Sequence, residues 1–271
     1  MNHLGSSLAE FVDLERYPLL DDTAFAPVAQ NCRQQLLESS FAHLPGFLRP
    51  GVPERMAAEV LDALPRAYRR DKMFTAYAIA EGEDLPLDHA RRRQHLNRQY
   101  VLATDIIKKT AAMRRLYESD VLTRRIAQML DEPALHRLAD PVMACTSTVM
   151  YDGDTHGWHF DLNDFVVSIL LQAPIEGGTF DFAPHIRSDS NENYPAVGNV
   201  MDGTSDKIRR IRVEPGTLLL FCGRRAIHRV APIQGATPRV IALFSYDRKP
   251  DVRYSPEVYQ RVVGRQTVYE S

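Results

Sequence analysis

The ten residues HGWHFDLNDF, 156–165, hold two histidines, the chain's single tryptophan and two aspartates. A solvated loop has no need of imidazoles crowded beside carboxylates, and an apolar core is penalised by them unless they are paired or hold a cation. His159 and Asp161 stand two apart. On a strand, positions i and i+2 project from one face, so an imidazole and a carboxylate converge on one point. The third ligand has to come from elsewhere, and RRAIHRVAPIQG supplies His228 on a later strand-like run. Two histidines and a carboxylate on one face of an ion make a facial triad suited to Fe(II), and they leave about three of six octahedral places open. Arg239 follows His228 by eleven residues. A hairpin through APIQGATP would return the chain antiparallel and set that arginine beside the metal strand, where it can grip a carboxylate bidentately. HxD or a lone strand histidine is common in proteins without a metal; the combination carries the reading.

The elements that must position these groups divide into two kinds. Up to about residue 140 the chain reads mainly helical, with apolar residues at helical spacing in 23–40, 51–70 and 108–130, the last broken near Ser119–Asp120. Between the second and third of these, 71–105 gives a mixed signal. From about 141, short β-rich runs separated by Gly, Pro, Asn and Asp follow one another: 142–151, 165–172, 178–182, 207–213, 216–221, 227–233 and 239–247. They predict a mainly β sandwich or jelly roll with a helical buttress on one outer face. A single domain over 1–271 is expected, with 1–140 as mainly helical support, 141–248 as β core and 249–271 as a C-terminal extension. The segment 187–199, with Glu192 and Asn193, reads as a long loop able to act as a lid.

Composition narrows the class. The 271 residues are 44% hydrophobic and 25% charged, as in an ordinary globular protein. Lys+Arg 33 against Asp+Glu 35 argues against a nucleic-acid partner, and RRRQHLNR, 91–98, is a local patch. Cys32, Cys145 and Cys222 lie far apart with no CxxC pair, so neither a disulfide framework nor structural zinc is expected. No signal peptide is visible, and no apolar run approaches the roughly 20 residues of a membrane span. A cytoplasmic protein with no membrane partner is expected, and a homodimer is left open.

The pattern His159-x-Asp161 … His228-x10-Arg239, with EGGTFDF and EPGTLLLFCGRRAIHRVAPI around it, resembles the Fe(II)/2-oxoglutarate-dependent dioxygenase superfamily. The resemblance covers roughly 142–247. It implies a double-stranded β-helix of cupin-like type, Fe(II) on His159, Asp161 and His228, dioxygen as oxidant, and Arg239 on the distal carboxylate of 2-oxoglutarate. Within the superfamily, HGWHFDLNDFVVSILLQ is similar to a group of free-amino-acid hydroxylases and radical halogenases. The halogenases of that group carry Gly at the carboxylate position, which vacates a site for chloride. This chain keeps Asp161, so hydroxylation is the implied outcome.

By the same resemblance His156 contacts the substrate carboxylate. Trp158 is a second substrate-side candidate, although strand alternation allows it to pack outward instead. Arg98 in HLNRQY is the candidate carboxylate clamp, with Arg91, Arg92 and Arg93 as competitors, and Tyr151 and Ser245 are candidates to line the 2-oxoglutarate pocket. VMACTSTVMYDGD is apolar until Asp152 and Asp154, which suit local backbone bonds. An unpaired buried ammonium is costly, so a substrate with a neutral side chain is expected. Desaturation or cyclisation follows from the same hydrogen abstraction and stays open. A larger carrier-bound or lipid substrate entering past RRRQHLNR is another alternative. A metal-binding, non-catalytic cupin-like barrel is a third, which the spacing of Arg239 disfavours.

Overall fold

A computed structural model describes residues 8–77 and 84–269. Helices α1 (Asp22–Ser39) and α2 (Val52–Ala63) form where apolar spacing places them. Asp21 caps α1 by accepting the Ala24 N–H at 2.9 Å. The helical reading of 51–70 overshoots, however. Pro65 lies in a short 3-10 turn, Leu64–Arg66, and has no N–H to carry an α-helix onward. The chain then enters a strand. Farther on, α3 (Ala112–Tyr117) and α4 (Asp120–Met129) meet at the expected break, where the Ser119 hydroxyl accepts the Leu122 N–H.

The strands in chain order begin with β1 (Phe41–Leu44), β2 (Tyr68–Thr75), β3 (Gln94–Leu102), β4 (His136–Arg137) and β5 (Cys145–Met150). Then come β6 (Thr155–His159), β7 (Val166–Gln172), β8 (Glu176–Gly177), β9 (Phe180–Ala183) and β10 (Arg209–Ile211). The last are β11 (Leu218–Phe221), β12 (Ile227–Val230), β13 (Ile233–Gln234), β14 (Arg239–Phe244) and β15 (Tyr246–Asp247). Two further helices are α5 (Tyr194–Met201) and α6 (Pro256–Val263). The expected loop 187–199 therefore ends as a helix, started by Pro195 in its first turn.

The main sheet runs β1-β11-β7-β14-β5-β3-β6-β12-β9-β10, with β2 added on β3. The pivot is β3. One part of it pairs with β5, Tyr100 opposite Val149, and another with β6, Asn97 opposite His156. The sheet thus folds over at β3 into two facing layers, the double-stranded β-helix. Phe41, Leu170, Leu219, Phe221 and Ile241 from one layer share a core with Phe182 of the other. The outer face of the first layer carries Val167, Ile169, Leu218, Leu220, Val240 and Ala242, packed with Met56 and Leu122 of the helices. With both faces covered, these strands read as continuous apolar runs instead of alternating ones.

Two placements differ from expectation. The first 140 residues are more than a buttress, because β1, β2 and β3 all belong to the main sheet. And β12 does not pair with β14: β12 lies between β6 and β9, whereas β14 lies between β5 and β7 in the opposite layer. The connection through 231–238 crosses between layers instead of closing a hairpin in one. No helix among the described residues is long and apolar enough to cross a membrane.

Candidate metal centre

Strand register builds the centre. Antiparallel pairing of β12 with β6 sets His228 directly opposite His159. The β6 ladder ends at His159, and the chain continues extended: the Phe160 N–H donates to the Ala76 carbonyl at 2.9 Å and the Asp161 N–H to the Gly223 carbonyl at 3.1 Å. Asp161 is thereby turned back between the two imidazoles. One carboxylate oxygen lies 3.7 Å from His159 Nε2 and the other 3.5 Å from His228 Nε2. Gly223 is the condition for this approach, since a Cβ there would stand 1.7 Å from Asp161 Oδ2.

The protonation pattern leaves three lone-pair donors facing one another. His159 Nδ1 lies 2.8 Å from the Gly157 carbonyl and His228 Nδ1 lies 3.1 Å from the Ala226 carbonyl. A carbonyl only accepts, so each Nδ1 carries the proton and each Nε2 presents a lone pair. Burial, then the neighbouring His228, push the His159 imidazole down to about 3, which keeps it neutral. Burial raises the Asp161 carboxyl; positive charge at the two Nε2 positions, a proton or a metal ion, outweighs that and holds the group ionised below its usual range. Asp161 Oδ2 is buried with no hydrogen-bond partner. A carboxylate against two nitrogen lone pairs is repulsive without a cation between them. At metal–donor distances of about 2.0–2.2 Å, one ion can span these separations. The residues fit the Fe(II) that their types imply, and His159, Asp161 and His228 are the described His, Cys, Asp and Glu residues grouped closely enough to hold it.

Beside the triad lies a cavity of about 340 Å³. His156 lines it, stacked on His159 with ring centroids 3.8 Å apart. Burial first, then His159, Arg70, His228 and Arg239, hold His156 neutral. Ser245 also lines the cavity, with its hydroxyl donated to the Met143 carbonyl at 2.9 Å. Arg239 sits on the same face of β14 as Ile241 and therefore faces the space between the layers. It is 5% exposed, and burial alone lowers its guanidinium to about 10, with no carboxylate offsetting it. Arg239 stands in the layer opposite β12, not on a hairpin partner of it, and close enough for its charge to bear on His156.

Three sequence candidates stand elsewhere. Trp158 faces away from His159, buried with Ala183, Val197 and Val200, and Arg229 lies over its ring at 4.7 Å. Arg98 is on the outer face of β3, where it pairs with Asp71 at 3.1 Å across the strands. Its neighbour Asn97 lines the cavity instead, because alternation sends adjacent residues to opposite faces. Tyr151 shares the helix-side face of β5 with Val149 and meets Tyr100 edge-on at 5.9 Å. Asp154 makes the expected local bond, accepting the Tyr151 N–H at 2.9 Å, but its buried carboxylate also takes a bidentate pair from the partly exposed Arg69.

Sequence reading missed Arg70, Lys72 and Phe74, which line the cavity from one face of β2, and Val258, Arg261 and Val262 of α6, which line it from another side. The signal for the first three was the period of two in RRDKMF, obscured by reading 51–70 as one helix.

No curated protein matches the chain significantly. Among solved structures, the epimerase SnoN from nogalamycin biosynthesis, described as non-heme and alpha ketoglutarate dependent, is 15% identical and superposes with TM-score 0.55 over 82% of this chain and 83% of its own. AviO1 from Streptomyces viridochromogenes is 18% identical, TM-score 0.55, covering 82% and 95%. A prolyl hydroxylase from Trichoplax adhaerens, solved with a hypoxia inducible factor peptide, is 16% identical, TM-score 0.54, covering 82% and 90%. These likenesses concern the fold. The family model described as Halogenase D matches residues 26–262, nearly the whole of the described chain. The chain therefore belongs to the Halogenase D family, within the Fe(II)/2-oxoglutarate oxygenase superfamily.

Proposed function

We propose that this protein hydroxylates an unactivated C–H bond of a small carboxylate-bearing substrate, a free L-amino acid without a cationic side chain. One observation carries the choice of hydroxylation within a family described by halogenation. The Asp161 carboxylate is lodged against Gly223 between His159 Nε2 and His228 Nε2. A carboxylate ligand and a halide compete for that place, and here the carboxylate holds it.

Held by His159, Asp161 and His228, iron with 2-oxoglutarate and dioxygen would supply the oxidant for hydroxylating a C–H bond. The chain's residues do the rest. Arg239 offers a buried, uncompensated guanidinium to the distal carboxylate of 2-oxoglutarate. Neutral His156, stacked on a ligand histidine, faces the substrate side and can donate to its carboxylate. Arg70 takes the clamp role expected of Arg98: its Nε is buried without a partner in the cavity wall, while another of its nitrogens donates to the Val262 carbonyl. Phe74 and Val258 exclude water from the reacting carbon. Asp161 is the acidic residue lining the cavity among the described residues, and the metal engages it. An ammonium at the far end of a substrate side chain would then have no counter-charge.

Anaerobic reconstitution with Fe(II) and 2-oxoglutarate, followed by oxygen and a panel of L-amino acids, tests this. One amino acid should raise succinate above the uncoupled background and gain one oxygen atom by mass spectrometry. A chlorinated product in chloride buffer would overturn hydroxylation. Stimulation by no amino acid would remove the free-amino-acid assignment.

A further inference from the structure

The charge of the substrate cavity has a further consequence, which rests on the amino-acid reading above. Arg70, Lys72 and Arg261 line one side of the cavity. Their positive charges press on one another: burial, then Arg70 and Arg261, lower the Lys72 ammonium, and Arg261 adds to the burial that lowers Arg70 to about 10. The nearest acidic residue in sequence, Asp71, points to the other face of β2 and is engaged by Arg98. Helix capping explains part of this arrangement. Arg70 donates to the Val262 carbonyl and Lys72 Nζ to the Arg261 carbonyl at 3.1 Å, both in the last turn of α6, where cations are favoured. Capping does not explain Arg70 Nε, which is buried and unpartnered, nor the presence of Arg261 against two other cations.

We infer that the substrate is an acidic amino acid, whose second carboxylate is received between Lys72 and Arg261 while Arg70 and His156 take the first. One carboxylate answers one of the three cations and a second answers another, while the α-ammonium is met separately by neutral oxygens. The side-chain oxygens of Asn97 and Asn163 each accept one hydrogen bond already, from Gln99 and from the Tyr254 hydroxyl, and each keeps a second lone pair for the α-ammonium. A cationic side chain meets three like charges instead, and a neutral one leaves two of them unanswered.

The test is calorimetric binding to the full chain loaded with Zn(II) in place of iron and with saturating 2-oxoglutarate, so that an acid cannot take the co-substrate's place. L-glutamate and L-aspartate are compared with their near-isosteric amides L-glutamine and L-asparagine, and with L-leucine and L-lysine. At least one acid should bind about tenfold more tightly than its amide, the order expected for partly exposed ion pairs. The advantage should fall toward unity in the double variant Lys72→Gln/Arg261→Gln, whose altered side chains lie at the exposed rim. Equal or tighter binding of an amide, of leucine or of lysine overturns the inference and leaves the hydroxylase reading standing. So does an acid preference that survives in the double variant. Binding by no member of the panel overturns this inference and the free-amino-acid reading together.

Discussion

The two sides of the catalytic cavity are held by different means. The metal side is assembled by backbone pairing and short bonds: one register pair, His159 opposite His228, two Nδ1–carbonyl bonds spanning two residues each, and a carboxylate two positions beyond the strand's last histidine. The substrate side is assembled over distance. Arg70 and Lys72 on β2 are fixed by carbonyls of α6, nearly two hundred residues later, and α6 in turn is tied down where Asp140 accepts the Tyr254 N–H at 2.7 Å and the Tyr259 hydroxyl at 2.8 Å. The metal cluster thus rests on backbone pairing, whereas Arg70 and Lys72 rest on bonds from their side chains to the backbone of α6.

The sharpest way to break this contrast is at the metal side. Asp161→Gly should abolish hydroxylation, with chlorination as the product to look for by mass spectrometry in chloride buffer; unchanged hydroxylation would mean that the carboxylate ligand is another residue. Gly223→Ala should displace Asp161 while every ligand residue keeps its identity, and weaken metal binding by about 10–100-fold, read as Fe(II) or Co(II) affinity. Next in size, Arg239→Ala should raise the 2-oxoglutarate requirement by roughly 30-fold, since truncating one partner of a buried charge pair costs about 2 kcal/mol or more. An unchanged requirement would remove Arg239 from that role.

On the substrate side the alternation of β2 and β3 makes a paired prediction. Arg70→Met should raise the substrate KM about tenfold or more with little change in metal affinity, while Arg98→Ala should stay within about twofold of wild type, because its partner Asp71 is a half-exposed surface residue. Reversed effects would restore the sequence-based clamp.

A separate effect concerns stability. Burial, with Arg93 and Arg229 nearby, pushes His95 down to about 4. An unfolded histidine titrates near 6.5, so between about 6.5 and 4 the unfolded chain binds a proton that the folded chain refuses. Stability should therefore fall as pH drops through that window, and His95→Gln should flatten the decline in denaturant midpoints.

Much of the metal side was legible in advance. HxD states its own geometry on an extended chain, and EPGTLLLF and FVVSILLQ announced buried strands by their apolar residues. Trp158 and Arg98 show where that legibility stops. Each lies one residue from a cavity-lining neighbour, His159 and Asn97, and with period-two geometry one residue is the whole difference between inside and outside. Arg239 was singled out partly on a spacing that suggested a hairpin, whereas the chain crosses to the opposite layer.

By itself the sequence determined the residue types of the metal cluster and the β character of the second half, because these depend on residue identity and on spacings of two or three positions. Only the tertiary structure decided that β2 supplies Arg70 and Lys72, that α6 closes the cavity, and that Gly223 makes room for Asp161. Those contacts join segments far apart in the chain, and no local period encodes which distant segment will arrive at a given face.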